Sequence, residues 1–380
     1  MSLADLIFHA GMPKTGTSSI QESLFSGLRD PRFHYLGLGM VNSSRPIQCL
    51  VGDTPVAPHV HQAQGMNLKE MESRRPFFYG CWKRQIQRAR LAQSTPIISA
   101  EDCWMMNQGE LVRLRDMIEA EGYRAQVIVY VRPPLEWLSS MFQEMVKSGH
   151  HSFVDTLLMA SQESGSRTQS LPCDYRRQLG NLAEAFGADR LLVRHFDKDQ
   201  MAYGCVVTDF CKTLGIQLAT RSIQRVNDSL SLDAVRFLYA YNRFARQQHP
   251  IPSWRFLWLL KRLQELPGKP LRLHPQLLEA VVPAWKDQQK DLLDSYRIQF
   301  NEHSNPADPT LIRQEQDMLE YSGTSLDWLQ AVSGRMISRE KNLPEQVARL
   351  VDAISPRLIE RWKAFYQGKR RQMRIHYANR

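Results

Sequence analysis

The chain has 380 residues and a formal net charge of +10, from 49 lysines and arginines against 39 aspartates and glutamates. That length allows one large α/β domain or two ordinary ones with ample buried core, and the composition, 43% hydrophobic and 23% charged, is that of a soluble globular protein. The positive excess favours anionic partners (nucleotides, acidic glycans, nucleic acid, membrane surfaces) without choosing among them. No apolar window approaches the roughly 20 residues of a transmembrane helix; the most apolar stretch, SWRFLWLLKRL, is short and basic.

The opening MSLADLIFHAG has no basic region ahead of its apolar residues and carries Asp5, which argues against a secretory signal. Cys49, Cys81, Cys103, Cys173, Cys205 and Cys211 are scattered, with no CxxC pair. They read as free thiols of a reducing compartment, so a cytoplasmic protein is expected, with peripheral membrane contact left open. His59 and His61, in PHVH, have no cysteine or acidic partner at metal-ligand spacing, and no metal is expected.

The first predicted element is a strand, LIFHA, at residues 6–10. It runs into HAGMPKTGTSS, which has the order strand, glycine loop, helix. Gly11 and Gly16 are separated by four residues, as in the phosphate-binding loop GxxxxGK[ST]. Here, however, Lys14 precedes the second glycine, and Thr15, Thr17, Ser18 and Ser19 surround it. A helix beginning near Thr17 would offer unpaired amides and a positive dipole end to an anion. Pro13 and the glycines let the backbone wrap a tetrahedral group, and Lys14 adds a point charge at its edge. Within the helix, Ile20, Leu24 and Leu28 fall four apart on one face.

Four more apolar runs of strand length follow: FHYLGLG (33–39), PIISA (96–100), QVIVYV (126–131) and RLLVRHF (190–196). They are nearly continuous in branched residues, as parallel strands covered on both faces must be. Amphipathic stretches such as GELVRLRDMIEAEG lie between them, so the pattern predicts βαβ units and a parallel sheet. After PIISA comes Glu101, at the sheet edge where ligands of α/β proteins gather; Ser99 with Asp102 also forms an S-x-x-D capping pattern, a structural reading of the same acid. After QVIVYV come Arg132, Pro133 and Pro134, then Ser140 eight residues beyond the arginine. A guanidinium gives a planar, permanently charged fork to a phosphate, and the prolines suit the first turn of a following helix.

From about residue 220 the patterns become helical, with Asn227 and Ser229 at one helix start. Residues 301–326 are polar and read as a surface excursion, and the basic end, GKRRQMRIHYANR, as a solvated tail. The expected organisation is an α/β core over residues 1–240 and a mainly helical extension over 241–380, packed on the core and contributing to a substrate site.

PKTGTSS after a first strand resembles the 5′-phosphosulfate loop of the sulfotransferase family, whose donor is 3′-phosphoadenylyl sulfate (PAPS). An arginine ending a central strand, with a serine eight residues on, resembles that family's 3′-phosphate site. RLLVRHFDKDQM, VVTDFCKTLGI and VNDSLSLDAVRFLYAYN are similar to later family segments, the last to bacterial carbohydrate-type members. The pattern KGxxGDWKN of the animal phenol- and steroid-acting branch is absent.

The resemblance implies a three-layer, P-loop-like α/β fold, PAPS as co-substrate with PAP as product, and a hydroxylated acceptor such as a glycan or glycolipid. It implies donor contacts from Pro13, Lys14, Thr15, Gly16, Thr17, Ser18, Ser19, Arg132 and Ser140. Lys14 would stabilise the leaving oxygen, and the base would be Glu101, with His59 or His61 as rivals. Two other readings stand beside it. A kinase-like phosphotransferase is disfavoured by the displaced lysine. A non-catalytic anion or nucleic-acid binder is disfavoured because basic residues are dispersed apart from the tail; no nucleic-acid partner is expected.

Overall fold

The computed structural model describes residues 4–53, 68–161, 173–224, 229–246, 253–279, 285–300, 305–338 and 342–354. Five strands, β1 (Ala4–Ala10), β2 (Phe33–Tyr35), β3 (Thr95–Ala100), β4 (Tyr123–Val131) and β5 (Leu191–His195), form one sheet in the order β2-β3-β1-β4-β5. Every neighbouring pair is parallel. All carboxyl ends therefore open on one edge. Since β3 and β4 flank β1 from opposite sides, the loop after β1 lies in the crevice where such sheets bind ligands.

Side chains alternate across the sheet. Leu6, Phe8 and Ala10 of β1, with Val127, Val129 and Val131 of β4, enter one buried cluster. Ile7 of β1 and Ile128 and Tyr130 of β4 enter another on the opposite face. The second face is covered by α1 (Thr17–Gly27), through Ile20 and Leu24, and by a later helix (Val206–Leu214), through Val207 and Phe210. The first is covered by α2 (Ser44–Val51), α3 (Leu68–Leu91), α4 (Gln108–Glu119), α5 (Pro134–Ser148), α6 (Phe153–Ser161) and α7 (Tyr175–Phe186). Helices on both faces of a parallel sheet make the three-layer α/β architecture expected from the pattern. In chain order the Val206–Leu214 helix is α8.

Local chemistry sets several boundaries. Asn107 and Glu110 form a reciprocal capping box at the start of α4, and Leu111, Leu114 and Ile118 bury its inner face. Pro133 and Pro134 stand at the junction of β4 and α5, where a missing amide costs nothing. The run 33–39 is a strand only as far as Tyr35. Leu36 still donates to the Ile97 carbonyl, but Gly37 and Gly39 then turn the chain away, Gly39 with φ 85°.

The described residues beyond α8 are mainly helical, led by α9 (Leu232–Tyr241), whose N-cap Ser231 accepts from the Ala234 amide. Its hydrophobic residues join the cluster on the first face of the sheet without a break, through Phe237, Leu273, Phe300, Val347 and Val351. Two contacts pin this part to α5 and α7. The Ser139 hydroxyl accepts from the Leu273 amide at 3.0 Å, and the Phe300 ring lies 5.9 Å from Tyr175. The polar stretch expected to be a surface excursion is instead anchored. Leu311, Ile312 and Met318 are buried, because spaced apolar residues in a polar segment still reach the core. The basic terminal tail lies outside the described residues.

Candidate functional site

A cavity of about 1210 Å³ lies at the carboxyl edge of the sheet. The chain segments following β1, β3, β4 and β5 all contribute to it: Lys14 to Ser19 with Thr15 excepted, then Glu101, Arg132 and Phe196. The far wall comes from beyond α8, with Ser229, Arg272, Leu278 and Phe300.

The loop after β1 is built by its own hydrogen bonds. Gly11 donates to the Ala100 carbonyl at 3.1 Å, which fixes the loop's start against β3. A Cβ at Gly11 would lie 2.5 Å from the Thr17 hydroxyl oxygen, so no larger residue fits. Thr15 is fully buried and donates to the Met12 carbonyl at 2.7 Å. Its hydroxyl therefore shapes the loop instead of facing the cavity, and Pro13 is buried as well. Lys14 (φ 66°) and Gly16 (φ 75°) both take the left-handed conformation. That is a strained choice for a lysine, of a kind that concentrates at functional sites.

The Gly16 carbonyl accepts from the amides of Ser19 and Ile20. The amides of residues 14–18 have no acceptor among the described residues. A run of unpaired amides at a helix start, alternating in handedness, forms a concavity suited to an anion. Thr17, Ser18 and Ser19 line the cavity beside it.

The second cationic element meets the first directly. Arg132 donates through Nη1 to the main-chain carbonyl of Lys14 at 3.1 Å. Its guanidinium lies 5.5 Å from the Phe196 ring centroid, in cation–π range, and 3.4 Å from Glu136. Burial lowers the Arg132 pKa somewhat, with Glu136 opposing, but a guanidinium stays charged in any accessible range. The Arg132 carbonyl accepts from the buried Tyr175 hydroxyl, so the residue is held at both ends. Ser140 lines the cavity from α5, while its neighbour Ser139 is buried and used structurally, donating to the Leu135 carbonyl at 2.7 Å.

Glu101 lines the same cavity at the head of a short turn, Asp102–Met105. The capping role suggested for Ser99 is not what its hydroxyl does; it meets His9 Nδ1 at 2.8 Å and the Gln21 amide at 3.1 Å. The Asp102 amide donates instead to the Ser44 hydroxyl at 3.0 Å. His59, His61 and Asn227 lie outside the described residues. His9 is wholly buried behind the loop, and burial pushes its pKa down to about 3.

Among the cavity residues that escaped sequence reading are Gln143, Glu144 and Lys147. Lys14 Nζ lies 2.8 Å from Glu144 Oε2. Their signal was available in outline, since Ser140, Glu144 and Lys147 recur at helical spacing on one face of α5. His195 and Phe300, whose rings meet edge to face at 4.8 Å, also line the cavity. Burial lowers the His195 pKa, partly offset by Asp197, which favours a neutral imidazole at neutral pH. Among the described residues, no group of three histidines, cysteines or acids is placed to hold a metal ion, and no helix is long and apolar enough to cross a membrane.

No protein-family model matches the chain. A curated, uncharacterised protein of Archaeoglobus fulgidus is 24% identical over 153 residues, covering 36% of this chain. The match spans only 39% of that relative's length. Among solved structures, the chain is similar to a sulfotransferase from Alicyclobacillus acidocaldarius, at 18% identity and a TM-score of 0.38 over 64% of this chain and 93% of that one. It is also similar to the sulfotransferase domain from the curacin biosynthetic pathway, at 13% identity and a TM-score of 0.31 over 60% of this chain and 80% of that one.

Proposed function

We propose that the protein is a sulfotransferase, moving the sulfuryl group of PAPS to a hydroxyl or amine of a carbohydrate or related metabolite. One observation carries the reading: the loop of Lys14 and the pair Arg132 and Ser140 line one cavity and are joined by the Arg132–Lys14 hydrogen bond. Two anion-binding elements on one cavity suit a nucleotide with phosphates at both its 5′ and 3′ positions.

In this reading the amides of residues 14–18 hold the 5′-phosphate, and Arg132 with Ser140 holds the 3′-phosphate. The acceptor oxygen attacks sulfur in line. The new S–O bond forms as the bond from sulfur to the phosphate oxygen breaks, and that oxygen leaves with the electron pair. Lys14 stabilises the charge growing there, as fixed cations do in phosphoryl transfer. Glu101 takes the acceptor's proton, with His59 and His61 as the rival bases.

The cavity of about 1210 Å³ exceeds a usual single-ligand pocket of about 300–1,000 Å³, which supports room for donor and acceptor together. Residues 1–240 then act as the donor-binding core. The extension supplies an acceptor wall from Arg272, Leu278 and Phe300, a mix of charge and apolar surface that suits an amphipathic acceptor.

The test is incubation with labelled PAPS and a panel of glycans, glycolipids and phenols, read as PAP formation and acceptor mass shift. PAP release coupled to a sulfated acceptor is expected. Absence of both PAPS binding and PAP formation would remove the proposal.

A further inference from the structure

Glu144 and Lys147 occupy a place that the reading above does not use. Glu144 stands one helical turn beyond Ser140 on α5, so both reach the same cavity. Its carboxylate lies 2.8 Å from Lys14 Nζ and 3.9 Å from Lys147 Nζ. The three side chains are partly shielded, at 25% exposure for Lys14, 37% for Glu144 and 15% for Lys147. One carboxylate thus sits between two ammonium groups, and one of these belongs to the anion loop. An anion seated on that loop needs the same ammonium. Two negative groups crowding one cation repel each other, so the carboxylate and the incoming anion compete.

We infer that Glu144 is a positioning residue that holds Lys14 in the unliganded site and passes to Lys147 when an anionic phosphate ester claims Lys14. The inference rests on the donor reading above and deepens it. The carboxylate's environment supports a counter-ion over a base. Burial opposes its ionisation, but Lys14 and then Lys147 outweigh this and keep its pKa below the ordinary glutamate range. A carboxylate so stabilised is a poor proton acceptor. On the other side, burial lowers the Lys147 pKa, with Glu144 opposing, and its ammonium stands 3.9 Å from the same carboxylate.

The arrangement predicts an unusual sign. Removing the Glu144 charge strengthens anion binding, whereas loss of a merely structural residue would weaken it or leave it alone. Lys147 acts through Glu144, so its effect depends on whether that carboxylate is present.

The experiment is calorimetric titration of the full chain with PAP, which keeps both phosphates and lacks the sulfuryl group. Wild type, Glu144→Gln, Lys147→Ala and the double variant are compared. Glu144→Gln is expected to bind PAP about two- to fivefold more tightly, the scale of a partly exposed ion pair. Lys147→Ala should weaken binding in the wild-type background and lose most of that effect beside Glu144→Gln. Glu144→Asp, which withdraws the charge by one methylene and preserves the helix, should shift affinity in the same direction as Gln. Unchanged affinity in both Glu144 variants, or an equal Lys147 effect in the two backgrounds, overturns the inference and leaves the nucleotide site standing. Failure of all five proteins to bind PAP overturns the inference and the donor reading together.

Discussion

Arg132 donates a hydrogen bond through Nη1 to the main-chain carbonyl of Lys14, at 3.1 Å and across 118 residues of sequence. The arginine that ends β4 thus braces the left-handed turn that follows β1. Its own carbonyl is fixed by Tyr175, and its guanidinium packs on Phe196. One planar group therefore fixes the Lys14 turn relative to the end of β4, and in the proposed function it also binds one of the two phosphates. A lysine could not do both, since an ammonium lacks the rigid fork.

Lys14→Ala removes the cation beside the amide concavity. In the proposed chemistry, turnover of PAPS falls about 10²–10³-fold, the scale of losing one fixed transition-state stabiliser. Far-ultraviolet circular dichroism and thermal unfolding should stay close to wild type, because Lys14 is surface-lining and its loop is built by Thr15 and Gly16. A variant with full turnover would remove Lys14 from the chemistry.

Glu101→Gln keeps the shape and, in the proposed chemistry, loses the base. Turnover is expected to drop about 10²–10⁴-fold with PAP affinity within twofold of wild type. This split between rate and affinity separates a proton acceptor from a residue that merely shapes the pocket. If the rate holds, His59 and His61 become the residues to replace next.

Gly16→Ala probes the loop's backbone. Gly16 has φ 75°, and a Cβ there would lie 2.7 Å from Val206 Cγ1, a side chain of α8. Left-handed strain and the clash together should cost about 1–3 kcal/mol of stability, measured by denaturant unfolding. Nucleotide binding should weaken as well, because the helix start moves. A loss below about 0.5 kcal/mol would mean that α8 yields freely.

His9 makes stability depend on pH. It is neutral in the fold, its pKa pushed by burial from 6.5 to about 3, and in the unfolded chain it takes a proton near the ordinary value. The unfolded state therefore binds more protons between these limits. The His9 contribution is complete above about pH 6.5 and is lost as pH falls toward 3, at up to roughly 1.4 kcal/mol per pH unit. His9→Phe, which suits the surrounding Tyr130 and Phe210 rings, should flatten this limb by close to one proton in urea titrations between pH 6 and 4. An unchanged slope would place the proton uptake elsewhere.

The sheet was legible because its strands are buried on both faces and so read as short, almost unbroken branched runs; all five were visible. Boundaries were less so. Gly37 and Gly39 cut the second run at Tyr35, since apolar content alone does not show where a backbone turns. The glycine loop and the arginine were visible as local chemistry. Their contact was not, because pairing 118 residues apart depends on β1 and β4 being neighbours. Glu144 and Lys147 carried no local motif, and only the tertiary fold turns their helix face to Lys14. Thr15 shows the opposite error: a hydroxyl in a phosphate-like loop can be consumed by the loop itself.

If one cavity grips a nucleotide by phosphates at both positions, as proposed, a comparison of PAP with AMP, which lacks the 3′-phosphate, on wild type and Arg132→Ala reads it out. Wild type should bind PAP at least about tenfold more tightly than AMP, as expected for charge-assisted hydrogen bonds to one phosphate. The preference should collapse in Arg132→Ala, with AMP affinity changed far less than PAP affinity. Equal binding of the two nucleotides by wild type, or equal losses for both in the variant, would contradict it.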